Sequence, residues 1–199
     1  MTATRFFVYG SLSEGMVHFS KIQNFIEFST PAQIYATAYR LKVGFPALID
    51  SGTDIVPGQF LELRSSDLLI GLLDEFFGVN ALDPDKALYH RKEVAVTIED
   101  GESLLAWVYF LNPKKLPSDA SVIPGGDWRK SLVDVPALTE KLSERQKLYI
   151  SKLGASSGRE IVPIDLQLYR ELMNLELIVD KGRRLALSKF GHEVYRYLA

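Results

Sequence analysis

The chain has 199 residues, 47% of them apolar and 24% charged, which excludes a disordered chain and is long enough to bury a core in one or two domains. A formal net charge of −2 gives no whole-chain attraction to nucleic acid or anionic lipid, and the absence of cysteine removes disulfides, thiolate nucleophiles and Cys-ligated metals. No apolar run approaches the roughly 18 residues of a membrane span and the N-terminus lacks a secretory pattern, so a cytoplasmic location is expected.

Arg5 to Tyr9 reads as a buried strand that breaks at Gly10, Ser11 and Leu12 into a small-residue turn. Such a turn exposes consecutive backbone N–H groups, which suits an anion. A helix is predicted from about Glu14 to Phe28, then one imperfectly alternating strand from Ala32 to Leu41 and another from Val56 to Leu63. A second helix is predicted from Asp67 to Phe76 behind the capping candidates Ser65 and Ser66. Tyr89 to Glu99 pairs with Glu102 to Phe110 through Asp100-Gly101, a dipeptide that tolerates the positive φ angles of a tight hairpin. Val94, Val96 and Ile98 mark one face of that hairpin. These elements make an α+β domain.

Charge and turn formers divide the chain. Residues 137–199 carry 11 Lys and Arg against 8 Asp and Glu, the remainder 12 against 17, so the tail is +3 and the front −5. The change falls in a Pro/Gly/Ser-rich stretch from Leu116 to Pro136, and domains are expected at 1–130 and 137–199. In the tail, Ser143 to Gln146 fits a capping box for a helix that Gly154 would end. Asp165 caps a second helix with Leu168, Leu172 and Leu175 on one face, and Ser188 a third with Phe190, Val194 and Tyr197 in register. Ile178 to Leu187, turning at Lys181-Gly182, reads as a short hairpin between them. The order resembles a reduced winged-helix module, small enough to need packing on the front domain or in a homodimer.

Several segments in order resemble the γ-glutamylcyclotransferase-like (AIG2-like) family: Tyr9-Gly10-Ser11-Leu12, Gly44 to Leu48, Val56-Pro57-Gly58, Leu73-Asp74, Gly78, Tyr89 with Arg91, and Gly126-Asp127-Trp128. Together they cover about residues 5 to 130. The resemblance implies a small mixed β-barrel with flanking helices, no cofactor, and a γ-glutamyl or other small carboxylate ligand held by Tyr9, Gly10, Ser11 and Leu12, with Tyr89 and Arg91 beside it. In active members a glutamate takes a proton from the ligand's α-amine as that amine attacks the γ-carbonyl, giving 5-oxoproline and a released amine.

One position departs from the family. Its pattern of Leu-Asp, two residues, then Glu-Gly places the acid at Phe77, which cannot accept a proton. A general base is worth about 10² to 10⁴ in rate. Three other carboxylates are near in sequence: Glu75, which on a helix points about 200° away from Phe77, and Asp83 and Asp85 in the loop before Tyr89. His18, His90 and His192 have neither triad nor metal spacing, and no metal site is expected. Ser11 reads as a hydrogen-bond donor rather than a nucleophile, and Trp128 as a packing anchor. Three functions therefore stand open: a cyclotransferase using a displaced acid, a cyclotransferase-like binding domain without turnover, and a ligand-responsive DNA-binding regulator using Lys181, Arg183 and Arg184.

Overall fold

The computed structural model describes residues 4–64, 67–156 and 160–198, and the chain divides into two compact units, Met1–Asp134 and Val135–Ala199. The first unit is α+β and is built on a closed five-stranded barrel. Its strands are β1 (Thr4–Val8), β2 (Ile26–Tyr35), β5 (Ile55–Leu63), β6 (Tyr89–Ile98) and β7 (Ser103–Leu111), in the order β1-β5-β2-β6-β7. Neighbours are antiparallel except where β1 closes the ring against β7, with Phe6 beside Trp107. Phe6, Phe7 and Val8 are buried in succession, as a strand covered on both faces requires. Gly58 lets β1 and β5 approach, because a Cβ there would sit 2.4 Å from the Val8 carbonyl oxygen and 2.5 Å from the Phe7 ring.

The connections differ from expectation in two places. The helix expected from Glu14 to Phe28 is absent: the chain makes two short 3₁₀ turns, Phe19–Lys21 and Gln23–Phe25, and enters β2 at Ile26. Pairing with β5 along ten residues, from Ile26 opposite Leu63 to Tyr35 opposite Ile55, outweighs weak helical propensity in a segment holding Val17, Ile22 and Ile26. The single strand expected from Ala32 to Leu41 is two. It breaks at buried Ala36, whose N–H bonds the Asp54 carbonyl, and β3 (Thr37–Arg40) joins β4 (Pro46–Ile49) and β8 (Ser121–Val122) in a second sheet.

Helix α1 (Asp67–Phe77) follows β5, and its expected caps Ser65 and Ser66 lie outside the described residues. It stops at Gly78, whose φ of +65° is the left-handed conformation that closes helices. Gly78 N–H bonds the Glu75 carbonyl and Val79 N–H the Asp74 carbonyl, at 3.0 and 2.8 Å. Phe77 is thereby fixed as the last helical residue, with Asp74 one turn before it. The unit ends in α2 (Trp128–Asp134), where the Trp128 indole N–H reaches the Gly44 carbonyl at 2.8 Å and its ring tilts against Phe45.

The second unit contains α3 (Leu138–Lys141), α4 (Glu144–Ala155), α5 (Leu166–Asn174), the hairpin of β9 (Ile178–Asp180) and β10 (Leu185–Leu187), and α6 (Lys189–Leu198). The Ser143 and Gln146 capping box is formed, and Asp165 accepts from the Gln167 and Leu168 N–H groups. Those bonds, that of Leu168 first, hold the Asp165 carboxyl below its usual range. Gly154 does not end α4 as expected. It sits inside the helix because the Tyr195 ring lies where a Cβ would be, 2.5 Å away, so packing rather than termination requires it. Among the described residues no helix is long and apolar enough to cross a membrane.

Candidate functional site

The turn after β1 begins with a pinned phenol. Tyr9 Oη donates to the Tyr109 carbonyl at 3.2 Å and accepts from the Leu48 N–H at 3.3 Å, so it ties β1 to β7 and to β4. Ser13 N–H then bonds the Gly10 carbonyl at 2.9 Å, closing a four-residue turn, and His18 N–H bonds the Ser11 carbonyl at 2.9 Å. Ser11 and Leu12 are buried and Gly10 is half-buried against Pro46. Among the described residues, the N–H groups of Gly10, Ser11 and Leu12 donate to no acceptor. Buried main-chain donors are almost always paired, and each one left unpaired costs about 1–3 kcal/mol. Three such donors in succession are the kind of array that suits an acceptor oxygen.

At the end of α1, Phe77 is part of an aromatic stack. The Phe77 ring lies parallel to Tyr109, centroids 4.0 Å apart and planes at 10°, and meets Tyr89 and Phe76 edge-on at 5.2 and 5.1 Å. Tyr109 stacks in turn on Phe6, and Phe76 meets His18 at 5.0 Å. Contacts of this kind are worth about 0.5–1.5 kcal/mol per pair beyond area burial.

Beside the stack is a polar triad. Tyr109 Oη donates to Asp74 Oδ1 at 2.8 Å, and Arg91 Nη1 lies 3.1 Å from the same oxygen. Arg91 also covers the Trp107 ring at 5.0 Å. Its Nη1 is buried without hydrogen-bond geometry to any described acceptor, so the attraction to Asp74 is coulombic. Burial first, then the bond to Asp74, pushes the Tyr109 phenol well above its ordinary value. It is a standing proton donor and not a base.

The structure brings Tyr89 and Arg91 together around Phe77 and Asp74, as their alternation on one strand suggests. It does not bring in the other carboxylates. Glu75 is exposed; Asp83 pairs with Lys86 at 2.7 Å; Asp85 is exposed and pairs with Lys114 at 2.8 Å, which holds its carboxyl below the usual range. Sequence reasoning missed Tyr109. The signal was available: a hairpin turning at Asp100-Gly101 sets Thr97 opposite Ser103 and so Arg91 opposite Tyr109.

Residues 6–130 match the sequence model of the family described as Gamma-glutamyl cyclotransferase, AIG2-like. Among solved structures, YkqA of Bacillus subtilis is 20% identical with a TM-score of 0.51, over 71% of this chain and 44% of that one. A solution structure from Arabidopsis thaliana is 21% identical with a TM-score of 0.50, over 76% of this chain and 94% of that one. An aig2-like protein of Mus musculus is 18% identical with a TM-score of 0.47, over 60% and 82%. This chain spans less than half the length of YkqA. No curated protein matches the sequence.

Proposed function

Because the chain belongs to the gamma-glutamyl cyclotransferase, AIG2-like family, we propose that its turn at Gly10, Ser11 and Leu12 receives the carboxylate of a γ-glutamyl or related small ligand, and that the site lacks the base needed to cyclise it. The three unpartnered N–H groups carry this reading. They offer a carboxylate oxygen short main-chain hydrogen bonds without a buried cation.

Cyclisation to 5-oxoproline removes a proton from the α-amine as its nitrogen attacks the γ-carbonyl. Phe77 has no lone pair to take that proton, Tyr109 keeps its own, and Asp74 is engaged by Tyr109 and Arg91. The rate falls by about 10² to 10⁴ for a missing general base. Calorimetry with γ-glutamyl amines, glutathione and small dicarboxylates, beside an assay for released 5-oxoproline, tests both halves. Heat without product is expected. Absence of heat across the panel rejects the receptor, and product formation rejects the missing base.

Duplex binding through Lys181, Arg183 and Arg184 has no comparable support. Read as a recognition helix, α5 carries one cation, Arg170, and the charge of nearby Arg145 is committed to Asp165.

A further inference from the structure

A cleft of about 290 Å³ in the first unit is lined by Tyr9, Ser13, Pro31, the Pro57–Gln59 segment and the Asp127–Arg129 segment. It shares Tyr9 and the turn-closing Ser13 with the site described above. We infer that it is a second binding site, for a zwitterionic small molecule of the free α-amino-acid class.

Ser13 is 2% exposed, lines the cleft, and has a hydroxyl that makes no hydrogen bond among the described residues. That hydroxyl faces the cleft and can donate or accept there. Gln59 Oε1 accepts from the Glu14 N–H at 2.8 Å, which orients the carboxamide and leaves its two N–H donors without a described acceptor. Arg129 donates to the Glu14 carbonyl and forms no ion pair with a carboxylate among the described residues, so its guanidinium is anchored but keeps its charge and further donors. Asp127 accepts from the Lys130 N–H through Oδ1 at 3.0 Å, leaving Oδ2 available.

The cleft thus presents one exposed cation that reaches the Glu14 carbonyl, amide and hydroxyl donors, one carboxylate, and apolar walls from Pro31, Pro57 and Trp128. Arg129, Gln59 and Ser13 suit a ligand carboxylate, and Asp127 an ammonium group. Asp127 selects against a phosphate or a second carboxylate, because like charges at contact distance repel. The size admits an amino acid with a modest side chain against the proline walls.

L-leucine is the probe, with 4-methylpentanoate and 3-methylbutylamine as analogues keeping only one of its charges. Each is titrated into the ¹⁵N-labelled full chain and followed by amide, side-chain NH₂ and indole N–H shifts. L-leucine is expected to move the Gln59 side-chain amide and the Trp128 indole N–H, leaving Gly10, Ser11 and Leu12 in place. Each analogue, and each of Arg129→Gln and Asp127→Asn with L-leucine, is expected to bind at least about tenfold more weakly. Asn remains a good helix cap, so D127N keeps the fold. No shift of these probes up to about 10 mM L-leucine, binding of either analogue equal to that of L-leucine, or unchanged binding in both variants overturns the inference. Shifts confined to Gly10 through Leu12 overturn it too, while supporting the first site.

Discussion

The turn after β1 and the end of α1 face one family function with different materials. In the proposed reading the turn offers main-chain N–H groups, which depend on backbone path and small residues, whereas a general base at the helix end would depend on one side chain, which a single substitution removes. At Gly10, Ser11 and Leu12 the N–H donors have no described acceptor, whereas Phe77 is part of an aromatic stack with Tyr109 and Tyr89 and offers no proton acceptor.

The sharpest way to break that contrast is Phe77→Glu. It puts a carboxylate beside Tyr89 and Tyr109, where burial raises its pKa toward the range of a base, and 5-oxoproline release from γ-glutamyl amines is expected to rise about 10²-fold over the parent chain. An unchanged rate in a folded variant would show that the turn, too, has lost its ligand. Next in size is Phe77→Ala, which forfeits the stack and leaves a cavity: a loss of about 2–4 kcal/mol in urea denaturation is expected, and less for Phe77→Leu.

Gly10→Ala tests the other side. A Cβ would lie 2.9 Å from Pro46 Cγ, so the turn must shift, and ligand affinity is expected to fall about tenfold while stability drops by about 1 kcal/mol or less. Calorimetry and denaturation read the two separately.

Tyr109 gives a smaller, pH-dependent effect. Its phenol is raised in the folded state, so above the unfolded value near 10 the unfolded chain releases a proton that the folded chain keeps. Stability from this group is full below about pH 10 and declines above it; Tyr109→Phe is expected to flatten that decline while costing about 1–2 kcal/mol at neutral pH through the lost bond to Asp74. The smallest effect is at Asp85, whose carboxyl is lowered by Lys114. Its contribution is present above the unfolded carboxylate pKa and lost as pH falls through the folded value, and Asp85→Asn is expected to leave both neutral-pH stability and 5-oxoproline release unchanged.

The sequence by itself determined what is local. The run of apolar residues in β1, the Asp100-Gly101 hairpin, the capping box at Ser143 and the ordered family segments are patterns of neighbours, and neighbours interact wherever the chain later goes. That Phe77, and not a carboxylate, stands three residues after Asp74 was equally plain, because it is a matter of residue identity at a fixed spacing. Tertiary structure decided what long-range pairing controls. Strand β5 drew Ile26 to Phe28 into the barrel against a helical reading, the break at Ala36 sent β3 to another sheet, and Tyr195 claimed the space beside Gly154. Only folding set Tyr109 between Phe77 and Asp74, and Gln59 and Arg129 beside Ser13, since these groups are brought together by barrel closure and not by spacing along the chain.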